Sequence, residues 1–212
     1  GFGSCMALNA SEDPNAASLP FDKRRAGFVM GEGGASLVLE EYEHAVKRGA
    51  HIYCELAGGA HSADAYHITA PHPQGDGAAR VMTEALKDAD MTPADVDYVN
   101  VHGTSTLPGD RCELIAVGKV FGDDAYRINI SSTKSMTGHL LGATGALEAI
   151  ACVKSIEQGV VPPTINHFTD DPDIDSRLNL TFNAAQHRKV RAAMSNTFGF
   201  GGHNGTLVFR EI

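Results

Sequence analysis

Basic residues are in the minority: 17 Lys and Arg stand against 26 Asp and Glu, a net charge of -9 over 212 residues. Phosphate binding needs a basic face, so a nucleic-acid partner is disfavoured. No apolar run approaches membrane-spanning length, and the first residues show no basic-then-apolar pattern, so membrane insertion and secretion are not expected. The four cysteines, Cys5, Cys54, Cys112 and Cys152, are widely spaced with no CxxC pair, which argues against a disulfide framework or a zinc site. Neither GxGxxG nor GxxxxGK[ST] occurs, and a nucleotide-binding reading is correspondingly poor. Low-complexity tracts and solenoid-length repeats are also missing. These absences leave a soluble cytoplasmic chain as the expectation. The chain opens on GFGSCMALN rather than on methionine, in glycine-rich loop chemistry, and a fragment of a longer protein is expected.

An apolar content of 42% is enough for a substantial core, and the length favours one large domain. Residues 10–25, polar and turn-prone, read as a surface loop. Residues 27–40 read as a strand pair around glycines. A short charged helix follows over 41–48, stopped by Gly49, and then a strand over 52–56. Patterns of period 3.6 at 77–90 and 110–120 predict helices flanking a strand at 96–101. Beyond them come a strand at 127–130, a helix at 141–157, a strand at 178–182, and a pair of strands at 191–197 and 205–210. Strands alternating with helices predict a layered α/β fold with a mixed, mostly parallel sheet.

In such folds, sites gather where strands end. Three strand-following loops carry the chemistry: HGTST at 102–106, SSTKSMTGH at 131–139 and SNTFGFGGHN at 195–204. Histidine and lysine in such loops can polarise a carbonyl or move protons, and glycines let backbone N–H groups reach a developing oxyanion. Together the loops fit chemistry on an acyl group. Taken singly, each has a plainer reading: a satisfied structural histidine, a solvated lysine, an ordinary glycine turn.

In this order, with Gly109, Asp110 and Glu113 between the first two, the loops resemble the C-terminal half of a β-ketoacyl-acyl carrier protein synthase, as in bacterial fatty acid synthesis. DKRRAGFVMGEGG and LVLEEYEHAVKRGAHIY extend the resemblance through nearly the whole chain. It implies the C-terminal half of a thiolase-like αβαβα fold, with residues 1–40 assigned to the end of an N-terminal half and the whole enzyme a homodimer. It implies decarboxylative condensation of a malonyl thioester with an acyl-enzyme, on substrates carried by the phosphopantetheine of acyl carrier protein and with no cofactor of the enzyme's own. The resemblance makes His102 and His139 the catalytic histidines, Lys134 the site lysine and Glu148 its ion-pair partner. Phe200 corresponds to a gating phenylalanine, flanked by Gly199 and Gly201, and Thr104, Thr106 and Thr69 to contacts of the pantetheine arm. The family's nucleophilic cysteine has no match among the four present.

Two positions depart from the family pattern. Leu107 precedes Pro108 where proline commonly follows HGTST directly, and His203 stands where threonine is common. His203 reads as a structural cap on its loop. Two relatives of the same fold stay open as alternatives: a non-catalytic ketosynthase-like partner subunit and a polyketide ketosynthase domain. Without the other half, one face of the 141–157 helix layer is expected to be exposed, so the chain alone should associate or aggregate.

Overall fold

A computed structural model describes residues 1–212. The first helix, α1, is Tyr42–Lys47, and β1 follows over Glu55–Ala63. Next come α2 (Asp76–Asp88), β2 (Tyr98–Asn100), α3 (Leu107–Phe121), β3 (Asn129–Ser131) and the single-turn α4 (Lys134–Thr137). The last part holds α5 (Thr144–Gln158), a small β4–β5 pair (Val160–Val161 and Gln186–His187), and the hairpin β6 (Ala192–Gly199) and β7 (His203–Arg210).

The main sheet is mixed, in the order β1-β7-β6-β2-β3. Strands β6, β2 and β3 run parallel, and β1, β7 and β6 are antiparallel neighbours. Successive side chains on a strand point to opposite faces. On one face Val99, Ile130, Met194 and Val208 join the core beneath α2 and α3. On the other Tyr98, Ala193 and Phe209 meet Ala149 and Cys152 of α5. Both faces of the central strands are therefore covered, which is why β2 and the first part of β6 read as continuous buried runs.

Each helix is placed by its apolar spacing. Ala78, Val81, Met82, Ala85 and Leu86 line the buried side of α2, while Thr83, Glu84 and Lys87 face water. On α5 the buried residues are Thr144, Glu148, Ala149, Cys152 and Ser155. The small side chains of Ala149 and Cys152 let the helix approach the sheet closely. Gly159 ends α5 in the left-handed region at φ 64°, donating its N–H to the Ser155 carbonyl. No helix is long and apolar enough to cross a membrane.

Four sequence expectations need correction. Residues 10–25 are not wholly a surface loop, because Ser18 to Asp22 and Arg25 are buried. Their polarity serves internal bonds: Asp22 accepts the N–H groups of Phe168 and Thr169 at 2.7 Å each, and Arg25 pairs with Asp171. Residues 27–40 do not pair with each other; Phe28 and Met30 bridge Leu8 and His139 instead, and Val38 and Leu39 stand exposed. The strand expected at 52–56 begins at Glu55 and runs to Ala63, through glycines that the alternation rule does not detect. Residues 178–182 form isolated bridges rather than a strand, since Thr181 takes a positive φ of 49° that breaks the extended run.

Candidate active site

The ends of β2 and β6 and the far part of the loop after β3 converge on a cavity of about 620 Å³. Strand β2 delivers His102. The carboxylate of Glu113, buried on α3, accepts the backbone N–H groups of His102 and Gly103 at 2.8 Å each, and Asn196 of β6 donates to it at 3.2 Å. These bonds fix the backbone beneath the His102 ring. Burial raises the Glu113 carboxyl to about 7, against the lowering effect of those same donors. Ser132, one residue past β3, donates to the Gly103 carbonyl at 2.6 Å and ties the second loop to the first.

His139 is held on both sides by the segment that follows Gly27: its N–H donates to the Val29 carbonyl at 2.7 Å, and Gly31 donates to its carbonyl at 3.0 Å. Its ring stands edge-on to that of His102, with centroids 5.3 Å apart and an interplanar angle of 86°. The Leu141 N–H lies 3.2 Å from His139 Nδ1, and the Thr144 hydroxyl 3.0 Å from the same atom. A backbone N–H can only donate, so in the neutral ring Nδ1 is the acceptor and the proton sits on Nε2. The neutral form is the one present: burial, helped by the Lys134 charge, lowers His139 to about 4. His102 is driven well below the ordinary histidine range by burial first, then by Lys134 and His139.

Lys134 opens α4 and Glu148 lies on α5; their side chains form an ion pair, each 1% exposed. Neither lines the cavity. An ammonium buried this deeply needs a carboxylate, and burial in turn raises Glu148 while Lys134 opposes the rise. The Lys134 charge adds to burial in disfavouring the charged form of both histidines.

The other sequence-predicted residues fall into two groups. Thr69, Thr104, Thr106, Gly199 and Phe200 line the cavity with the two histidines. The hydroxyls of Thr104 and Thr106 are 3.1 Å apart. Gly201 does not line it; its N–H donates to the Ile68 carbonyl at 2.7 Å, anchoring the turn that carries Phe200 to the Thr69 loop. Phe200 is 41% exposed, and its ring centroid lies 5.9 Å from that of Phe2. Phe28 packs edge-on to His139 at 5.4 Å. The sequence reading gave no role to Phe2, Phe28 or Glu113. For Glu113 a signal was present: Asp110 and Glu113, three residues apart, share the apolar side of a helix, where a carboxylate requires a partner.

Three of the four cysteines carry thiols that burial keeps from ionising. Burial raises the thiols of Cys54, to about 11, and of Cys112 and Cys152. Cys112 touches the cavity, yet its Sγ lies 3.6 Å from the Pro73 carbonyl. Cys5 is exposed.

Residues 53–168 match the family of the β-ketoacyl synthase C-terminal domain. Over the full chain, 3-oxoacyl-[acyl-carrier-protein] synthase 2 of Rhizobium meliloti is 50% identical and that of Coxiella burnetii also 50%. The chain spans 50% of the first and 51% of the second, about half the length of the curated relatives it matches. Among solved structures, a type II PKS acyl-carrier protein in complex with its ketosynthase bound to the hexaketide aligns with a TM-score of 0.96 at 42% identity, covering 100% of this chain and 52% of that one. A β-ketoacyl synthase from Burkholderia phymatum aligns at 0.93 and 41%, covering 100% and 50%.

Proposed function

The chain belongs to the β-ketoacyl synthase family, whose C-terminal domain it carries, and from that premise we propose that it supplies the decarboxylation site of a fatty-acid condensing enzyme. The reading rests on one observation above all, two neutral histidines set edge to face in one cavity. An acyl chain is held as a thioester on a cysteine outside these residues. The malonyl thioester then loses carbon dioxide, and the electron pair of the broken C–C bond passes into an enolate. His139 Nε2–H and the His102 ring donate to the enolate oxygen as its charge develops. The enolate carbon attacks the acyl carbonyl, a C–C bond forms and the cysteine thiolate leaves. One well-placed donor to such an oxygen contributes about 3 kcal/mol. Neutral rings give up no proton in doing this, which is why the low-pKa environment suits the step.

Thr104, Thr106 and Thr69 hold the pantetheine arm of acyl carrier protein through their hydroxyls, Phe200 gates the acyl chain, and Gly199 and Gly201 border its turn. The complete protein works as a homodimer in the cytoplasm on malonyl and acyl thioesters, with no cofactor of its own, and residues 1–40 lead out of its N-terminal half. The likeness to a polyketide ketosynthase supports a second reading, repeated condensation without reduction between rounds. Its 42% identity against 50% for the fatty-acid relatives favours the first.

The test uses the protein that joins this chain to its nucleophile-bearing half. His102→Ala and His139→Ala should each lower malonyl decarboxylation by about 10²-fold or more, with acyl transfer to the cysteine retained. Decarboxylation at near wild-type rate in both variants would overturn the reading. Products extended by one unit fit fatty-acid elongation; poly-β-keto products would fit the second reading.

A further inference from the structure

His203 is the position at which the third loop departs from the family pattern, and its ring lies where the Phe200 turn begins. It is the first residue of β7 and pairs across the hairpin with Gly199, the last residue of β6. Only Phe200, Gly201 and Gly202 remain between them. The imidazole is laid against the Gly199 backbone so closely that a methyl group on Gly199 would come within 2.5 Å of Nε2. The same ring approaches Gly201, where an added methyl would lie 3.5 Å from Nδ1. A glycine at a strand end has no side chain to pack and a large conformational entropy to lose, so a cross-strand ring that covers it adds to the ladder pairing and to the Gly202 N–H that its carbonyl accepts at 3.0 Å. The turn itself is tied down elsewhere, with Gly201 donating to Ile68 at 2.7 Å and Gly202 accepting from Asp64 at 2.7 Å.

We propose that His203 is the hinge stop of the Phe200 turn. By covering Gly199, with Gly201 and Gly202 already anchored, it confines motion to Phe200, limits how far its ring swings across the cavity and so restricts which acyl chains pass. His203 is a positioning residue: it acts through Gly199 and Phe200. The proposal rests on the gating role given to Phe200 above. Replacing the ring with a small side chain frees Gly199, lengthens the mobile turn and widens acyl selectivity. A phenyl ring, which covers the glycine equally well, preserves both.

The test compares His203→Ala and His203→Thr, which remove the ring, with His203→Phe, which keeps one. Amide hydrogen exchange of the 195–206 segment should quicken about tenfold in the ring-less variants and stay within about twofold of wild type in His203→Phe. In the protein joined to its nucleophile-bearing half, the ratio of kcat/KM for long over short acyl donors should shift by about threefold or more in the ring-less variants. The shift should appear in KM, with kcat for malonyl decarboxylation unchanged and with His203→Phe restoring the wild-type ratio. Unchanged exchange in both ring-less variants overturns the hinge stop whatever the activity. Faster exchange with unaltered selectivity overturns its effect on acyl entry. Faster exchange in a protein whose wild type condenses no acyl donor supports the hinge stop and sinks the condensing reading instead.

Discussion

At the residue scale the chemistry depends on which proton sits where. His139 is neutral above about pH 4 because burial and the Lys134 ammonium both penalise its charged form. Its Nε2–H therefore persists as a donor through the neutral range, and decarboxylation should be flat from about pH 5 to 8 as far as this ring is concerned. The rate should fall only as pH drops toward 4; a pH profile with a basic limb near 6.5, the ordinary histidine value, would show that a ring works in its charged form. Buried carboxyls make the opposite contribution to stability. Glu113 is raised to about 7 and Asp110 to about 6, both by burial. A carboxyl raised on folding favours the folded state at low pH, and that contribution is lost as pH climbs through the raised value. Asp22, lowered to about 2 by the backbone and arginine donors that outweigh its burial, contributes above the ordinary carboxylate range and loses that contribution as pH falls through 2. The lowered histidines add stability as pH rises toward 6.5 while the raised carboxyls lose it as pH rises toward 7, so Glu113→Gln should remove part of that loss and make the urea midpoint climb more steeply between pH 5 and 8 than in wild type. A pH slope unchanged in that variant would contradict the placement of Glu113.

At the element scale, α5 connects packing to chemistry. Its buried residues recur at 144, 148, 152 and 155, so the helix that presents Glu148 to Lys134 also sets Ala149 and Cys152 against β6 and β2. Small side chains there allow the close approach. Ala149→Leu should overpack that layer, costing about 2 kcal/mol in urea unfolding, and should loosen the Lys134–Glu148 pair one residue away. A variant as stable as wild type would mean that the layer has slack. The β6–β7 hairpin makes the complementary case: the buried part of its strands is rigid core, and only the three residues between them, 200–202, form the turn on which Phe200 rides.

At the scale of the whole molecule, the two faces of the chain differ. Loops 18–25 and 166–171 are cross-linked by Asp22 and Arg25 into one fixed unit. On the side where residues 36–56 lie over α5, a groove lined by Leu37, Val38, Tyr53 and Ile150 is open, and Val38 and Leu39 are 89% and 70% exposed. Contiguous apolar surface of this kind drives association. The 212-residue chain by itself should elute and sediment as an associated species, or precipitate, at concentrations of tens of micromolar. A clean monomer under those conditions would show that the groove is not an interface left uncovered.

How much of this was legible in the sequence follows from the range of the forces involved. Period and spacing are local, so α2, α3, α5 and the terminal hairpin were readable, as was the placement of His102 just past a strand. The three glycine-rich and histidine-bearing loops could be recognised because their chemistry is written in consecutive residues. The sequence could not show that Asp22 and Arg25 are internal cross-links: their partners lie about 146 residues away, and a charge reads as solvent-facing until a distant donor claims it. It could not show that 27–40 bridges to His139 rather than to itself, since pairing partners are chosen by tertiary contact. Sequence alone therefore determined the layered α/β class, the family and the loops that meet at strand ends. Tertiary structure decided the neutrality of the histidines, the tautomer of His139 and the clamp of Glu113, because each depends on burial and on donors brought from elsewhere in the chain.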